Sequence, residues 1–160
     1  MVTIMKIWKN LRTENIFLDV PLPDKKAALR FVADICTKNG IETDTDAIFK
    51  GLNQREQIMS TGIGNGIGFP HTITRETKDA SVFLVRPAVP LEFKSLDNLP
   101  VDIVIALIIP EKHTALHLQM LAGVSRLCKN PDVLKAIRQA GDSKELWGKI
   151  RNLEEKMAFH

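Results

Sequence analysis

His71 is the residue in this chain best placed to do chemistry, and the reason lies in what precedes it. It follows the run R-E-Q-I-M-S-T-G-I-G-N-G-I-G-F-P, from Arg55 to Pro70, in which Gly62, Gly64, Gly66 and Gly68 alternate, and Thr72 comes next. An imidazole with an ordinary pKa near ~6.5 keeps one ring nitrogen unprotonated at neutral pH, and that nitrogen can attack phosphorus. Phosphoryl transfer asks the rest of a protein chiefly for positioning and for positive charge or N–H dipoles around the phosphoryl oxygens. Arg55, Thr61 and the backbone N–H groups of Gly62, Gly64 and Asn65 are what the run supplies, with Thr72 beside the ring. Small residues with free N–H groups can fold into a nest that holds an anion. A lone loop histidine is more often a hydrogen-bonded strand end than a nucleophile. The glycines argue otherwise, because ordering so many of them is entropically costly.

His117 shares a helical stripe with Leu121, Val124 and Cys128, and taken alone it reads as a satisfied core histidine. Beside a phosphorylated partner it could instead hold the phosphoryl group or fix its neighbour's tautomer.

Other chemistries fit less well. Neither G-x-G-x-x-G nor G-x-x-x-x-G-K-[ST] can be laid on the glycine run, which enters Pro70 rather than a helix, so a nucleotide loop is excluded. His113 and His117 have the four-residue spacing of a zinc-binding pair, and Glu111 and His71 would complete a set for a zinc-dependent hydrolase. Residues 114 and 115 are Thr and Ala, so the H-E-x-x-H base is missing, and neither a metal nor another cofactor is expected. Asp97 in L-D-N-L-P reads as a turn residue and Asp102 as a strand start.

The elements that must position these groups alternate in type. An extended segment, Thr13 to Val20, ends at Pro21 and Pro23. Asp24 caps a helix that stops before Gly40, and a second helix starts at Thr43 or Asp44 and runs to Ile58, delivering Arg55 and Glu56 to the mouth of the loop. Ile67 to Phe69 and Ala80 to Val85 are short strands, with Leu91 to Phe93 pairing beside them. Val101 to Ile109, apolar but for Asp102, is a central strand covered on both faces. Helices follow over Thr114 to Cys128, from Asn130-Pro131 to Gly141, and from an Asp142/Glu145 capping box through Leu153, with a tail that frays after Glu154. Strands interleaved with helices predict an α/β fold: a single-domain three-layer sandwich, its mixed sheet of about five strands flanked by helices on both faces.

Composition sets the setting. At 160 residues the chain has the length of one ordinary domain. A formal charge of +3, dispersed among acidic residues, gives no argument for nucleic-acid binding. No apolar run is long enough to insert in a membrane, and Cys36 and Cys128 read as core thiols rather than a disulfide, so a cytoplasmic location is expected.

The residues R-E-x-x-x-S-T-G-I-G-N-G-I-G-F-P-H, then D-N-L-P-V-D, an I-A-L-I-I-P strand and H-L-x-x-L, resemble the fructose and mannitol type of enzyme IIA in the bacterial phosphotransferase system. The similarity runs from about Thr13 to Leu153, and S-T-G-I-G-N-G-I is similar to the nitrogen-regulatory branch in particular. The resemblance implies that His71 is phosphorylated by a histidine phosphocarrier protein (HPr-like), that His117 is the second active-site histidine, and that Arg55 is the active-site arginine. It implies a regulatory target protein, or a IIB domain in sugar uptake, as the downstream partner. The absence of an attached transporter, membrane segment or IIB module favours the regulator, and a pure protein-binding module is the third reading. Gly68 stands where the family commonly has alanine, and Thr72 where glycine or alanine usually follows the histidine.

Overall fold

The computed structural model describes residues 5–40, 44–75 and 79–157. A short 3-10 helix, Ile7–Lys9, leads into β1 (Leu11–Val20), then α1 (Lys25–Lys38) and α2 (Thr45–Ile58). Three short strands follow, β2 (Gly62–Gly64), β3 (Ile67–Gly68) and β4 (His71–Thr74). Then come β5 (Ser81–Pro87), β6 (Ile103–Pro110), α3 (Thr114–Cys128), α4 (Pro131–Gln139) and α5 (Ser143–Met157).

The sheet is mixed, in the order β1-β5-β6-β3-β2, with β4 also paired to β6. β6 is the axis of the fold. All eight of its residues are buried, and its side chains alternate cleanly between two cores, as a strand's must. Ile103, Ile105, Leu107 and Ile109 pack with α3, α4 and α5. Val104, Ala106 and Ile108 pack with α1 and α2. Helices on both faces are why β6 reads as an unbroken apolar run.

The helix starts follow their capping residues. Asp24 accepts the Ala27 N–H at 2.8 Å and Asp44 the Ala47 N–H at 3.1 Å. The alternative start at Thr43 lies outside the described residues. Asn130 and Asp142 cap α4 and α5 in the same way. Cys36 and Cys128 form no disulfide with each other and are buried in different cores, and burial pushes the Cys128 thiol up to about 12.

Three expectations change. The described sheet has six strands where about five are expected, because the glycine run itself forms the antiparallel pair β2 and β3 and because His71 opens a strand. Leu91 makes only an isolated antiparallel bridge to Val101. The tail beyond Glu154 does not fray at once: α5 continues to Met157, since Glu154 accepts the N–H groups of Ile7 and Trp8 at 2.9 and 2.7 Å and Glu155 binds Lys6.

Candidate functional site

His71 begins β4, which extends the line of β3 along β6: Gly68 pairs with Val104 and His71 with Leu107. Odd-numbered residues here face the α3–α5 layer, as buried Ile67 and Phe69 do; even-numbered ones face α1 and α2. His71 therefore points toward α3. Its Nδ1 lies 3.0 Å from the Phe69 carbonyl oxygen. A carbonyl only accepts, so Nδ1 carries the proton and Nε2 keeps a free lone pair. Burial chiefly holds the ring's pKa below its ordinary value; the Phe69 carbonyl works the other way, the charges of Arg55 and His117 add to the lowering, and Glu56 opposes them. The outcome is a neutral, oriented imidazole, which is the nucleophilic form.

His117 arrives from the first turn of α3, its ring centroid 6.3 Å from that of His71 with the planes at 67°. Arg55 arrives from the last turn of α2, where Nη1 donates to the Met59 carbonyl at 2.9 Å. A cation suits that helix end, and the bond ties the guanidinium to the helix. Three separate elements thus bring His71, His117 and Arg55 to one edge of the sheet.

Glu56, buried beside Arg55, is the residue whose importance the sequence conceals. Its carboxylate accepts the Thr61 N–H at 2.8 Å, the Thr61 hydroxyl at 2.6 Å and the Lys25 ammonium at 2.7 Å. It fastens the start of the glycine run to α2 and α1. Its advance signals are its delivery with Arg55 to the mouth of the loop and its place in R-E-x-x-x-S-T, four residues before Ser60 and five before Thr61.

The expected phosphate nest is redistributed by this arrangement. Thr61 gives both of its protons to Glu56, so neither is available to an anion. Gly62 remains near the site, because Thr61 bonds Phe69 across the β2–β3 pair and Gly62 faces Gly68; its N–H goes to the Ser60 hydroxyl at 3.1 Å. Gly64 and Asn65 sit at the opposite end of the hairpin. Gly66 bonds Asp102 there, five residues along β6 from Leu107, the partner of His71, an offset of about 16 Å at strand rise. Asn65, with φ +58°, gives its N–H to Asp97 at 2.9 Å. Arg138 clamps the same tip, forking onto Asp102 at 2.8 and 2.9 Å. The alternating glycines therefore build a hairpin, and two of the expected pocket residues serve its turn. A cleft of about 630 Å³ beside that tip, with Asn65, Gly66, Asp102 and Arg138 in its wall, contains no histidine.

Thr72 also turns out differently from the expectation, since its side chain faces α2 rather than the ring of its neighbour. Among the described residues no group of three or more His, Cys, Asp and Glu side chains converges as a metal site. His113 is the N-cap residue of α3, with non-helical backbone, and Glu111 pairs with Arg75 at 3.1 Å. The zinc set is not assembled.

Around the edge that carries His71 lie exposed apolar side chains. Ile58 and Met59 follow Arg55, Ile73 lies two residues past His71, and Leu118 adjoins His117. Among the described residues no helix is long and apolar enough to cross a membrane.

Residues 9–152 match the model of the family described as phosphoenolpyruvate-dependent sugar phosphotransferase system, EIIA 2. A nitrogen regulatory protein of Pseudomonas aeruginosa is 32% identical over 130 residues, covering 81% of this chain and 84% of that protein. A PTS system fructose-specific EIIA component of Haloferax volcanii is also 32% identical, over 127 residues, covering 79% and 82%. The crystal structure of nitrogen regulatory protein IIA-Ntr from Neisseria meningitidis superposes with a TM-score of 0.83 at 24% identity, covering 90% of this chain and 98% of that one, a likeness of fold. The chain belongs to the EIIA 2 family of the phosphoenolpyruvate-dependent sugar phosphotransferase system, and is thereby a link in a phosphoryl-transfer chain.

Proposed function

We propose that this protein is a cytoplasmic phosphohistidine carrier of the nitrogen-regulatory kind, which takes a phosphoryl group from a histidine phosphocarrier protein onto Nε2 of His71. The observation that carries the reading is the Nδ1 contact with the Phe69 carbonyl, which leaves Nε2 as the unprotonated nitrogen. In the transfer, the Nε2 lone pair forms a bond to phosphorus as the bond to the carrier's histidine breaks, and that electron pair returns to the carrier's ring nitrogen. The Nδ1 proton stays on His71, shared with the carbonyl. Arg55 and His117, whose charges both reach the ring, meet charge on the phosphoryl oxygens. The exposed apolar rim suits a protein donor rather than a small molecule.

Incubation with a histidine phosphocarrier protein charged from phosphoenolpyruvate is expected to add one acid-labile phosphoryl group. Label that persists in His71→Ala overturns the assignment. A chain that binds the carrier without ever accepting label is a binding module instead.

A second reading, delivery of the phosphoryl group to a IIB domain in sugar uptake, is favoured by the fructose-specific relative, which is as similar as the regulatory one. Mixing the labelled protein with a fructose- or mannitol-type IIB domain separates the two. Rapid discharge supports transport, and retention of label supports regulation.

A further inference from the structure

Gly51 lies in the interior of α2, where glycine is destabilising relative to alanine. Its backbone does not require a glycine, for its φ is not in the left-handed region. What requires it is space: a Cβ built there would lie 2.4 Å from Thr72 Oγ1 and 3.3 Å from Thr72 Cβ. The threonine after the reactive histidine and the glycine in the helix are two halves of one contact.

The contact joins the two parts of the site. Thr72 is adjacent to His71 in β4, which is held in register on buried β6 through His71 with Leu107 and Thr72 with Ile108. Gly51 is one helical turn before Arg55, on the same face of α2. Arg55 is bonded to the Met59 carbonyl, so its guanidinium travels with the helix. Strand β4 is fixed, and α2 comes as close to it as Thr72 and Gly51 permit.

We propose that the seating of Thr72 on Gly51 sets the spacing between Arg55 and His71, which makes both of them positioning residues for phosphoryl transfer. The inference rests on His71 as the phosphoryl acceptor. It assigns Thr72 a steric role in place of a hydroxyl contact with the phosphoryl group.

The test uses the full chain with Gly51→Ala, Thr72→Val, Thr72→Ala and the double variant Gly51→Ala/Thr72→Ala. Phosphorylation is followed with a histidine phosphocarrier charged from phosphoenolpyruvate, and the His71 ring is titrated by NMR in the unphosphorylated protein. Gly51→Ala forces α2 outward and is expected to slow the rate at saturating carrier roughly 100-fold, the cost of a displacement on the order of 1 Å, with KM unchanged. The groups facing His71 are Arg55 and Glu56 from α2, His117 from α3 and its own strand's Phe69 carbonyl. Retreat of Arg55, whose influence exceeds that of Glu56, is expected to raise the His71 midpoint. The double variant removes Oγ1 and is expected to recover most of both losses, and Thr72→Val keeps the shape and should match the parent.

Parent-like rate and midpoint in Gly51→Ala, or a double variant no better than Gly51→Ala, overturns the proposal. If Gly51→Ala does not fold, Thr72→Val against Thr72→Ala decides: parent-like valine with slowed alanine supports a steric seat, and the reverse overturns it. A parent protein that takes no label refutes the carrier reading, while the titrations still read the spacing.

Discussion

His71 and His117 meet edge to face, ring centroids 6.3 Å apart, one from the first residue of a strand and the other from the first turn of a helix. Neither is fully buried, so the pair is open to a partner while the His71 ring is oriented by the Phe69 carbonyl. On the proposed reading, His117 flanks the phosphoryl group carried by His71. His117→Ala is expected to slow phosphorylation by roughly 10²-fold and to raise the His71 midpoint, because His117 helps lower it. A parent-like rate with an unmoved midpoint in an NMR titration would remove His117 from the mechanism.

Arg55→Ala is the companion experiment. Loss of one preorganised donor at a developing charge costs about 10²- to 10³-fold, and the His71 midpoint is again expected to rise. Arg55→Lys keeps the charge without the planar fork, so it should restore the midpoint more completely than the rate. Equal recovery of both would mean that charge alone is used.

The pH dependence follows from the lowered pKa of His71. Acceptor activity should persist below pH 6.5, the ordinary value, and fall only as pH drops through the lower folded value. Stability has the same sign, since the unfolded chain binds the proton more readily. The His71 contribution is complete above 6.5 and is lost as pH falls through the folded value. His71→Gln should flatten that limb of a urea-stability profile; an unchanged limb would contradict the shift.

Glu56→Ala should be costly, because it strands the Lys25 ammonium and both Thr61 donors around a buried position. About 3–5 kcal/mol is expected for breaking such a buried pair from one side. Urea denaturation measures it, and a loss below 1 kcal/mol would show that water replaces the carboxylate.

Ser95 offers a change in the other direction. Among the described residues its buried hydroxyl has no hydrogen-bond partner, and it occupies the space that a Cβ on Gly62 would need. Ser95→Ala should raise stability by about 1 kcal/mol, and a fall would reveal an unrecognised partner.

The sequence disclosed most where one local rule decided the outcome. Asp24 and Asp44 capped as their side chains require, and β6 is central because only a strand covered on both faces can be apolar throughout. Motif resemblance singles out His71, His117 and Arg55, and the fold brings the three together at one edge of the sheet. Alternating glycines look the same in sequence whether their N–H groups face an anion or a neighbouring strand. Only the register with β6 shows that Gly64 and Asn65 turn a hairpin at its far end. Adjacency in sequence sets Thr72 beside the ring, yet neighbours in a strand face opposite ways, and its counterpart Gly51 is 21 positions away. Long-range complementarity of that sort leaves no local trace.

The clasp of Glu154 on Ile7 and Trp8 joins positions 147 and 146 residues apart. A contact of that span closes a loop nearly as long as the chain, and its entropic cost is met only after the intervening sheet has formed. The clasp should therefore be among the last native contacts to assemble and among the first to open. Weakening it with Glu154→Gln should hasten unfolding while leaving the folding rate almost unchanged, a kinetic asymmetry that stopped-flow chevrons would expose.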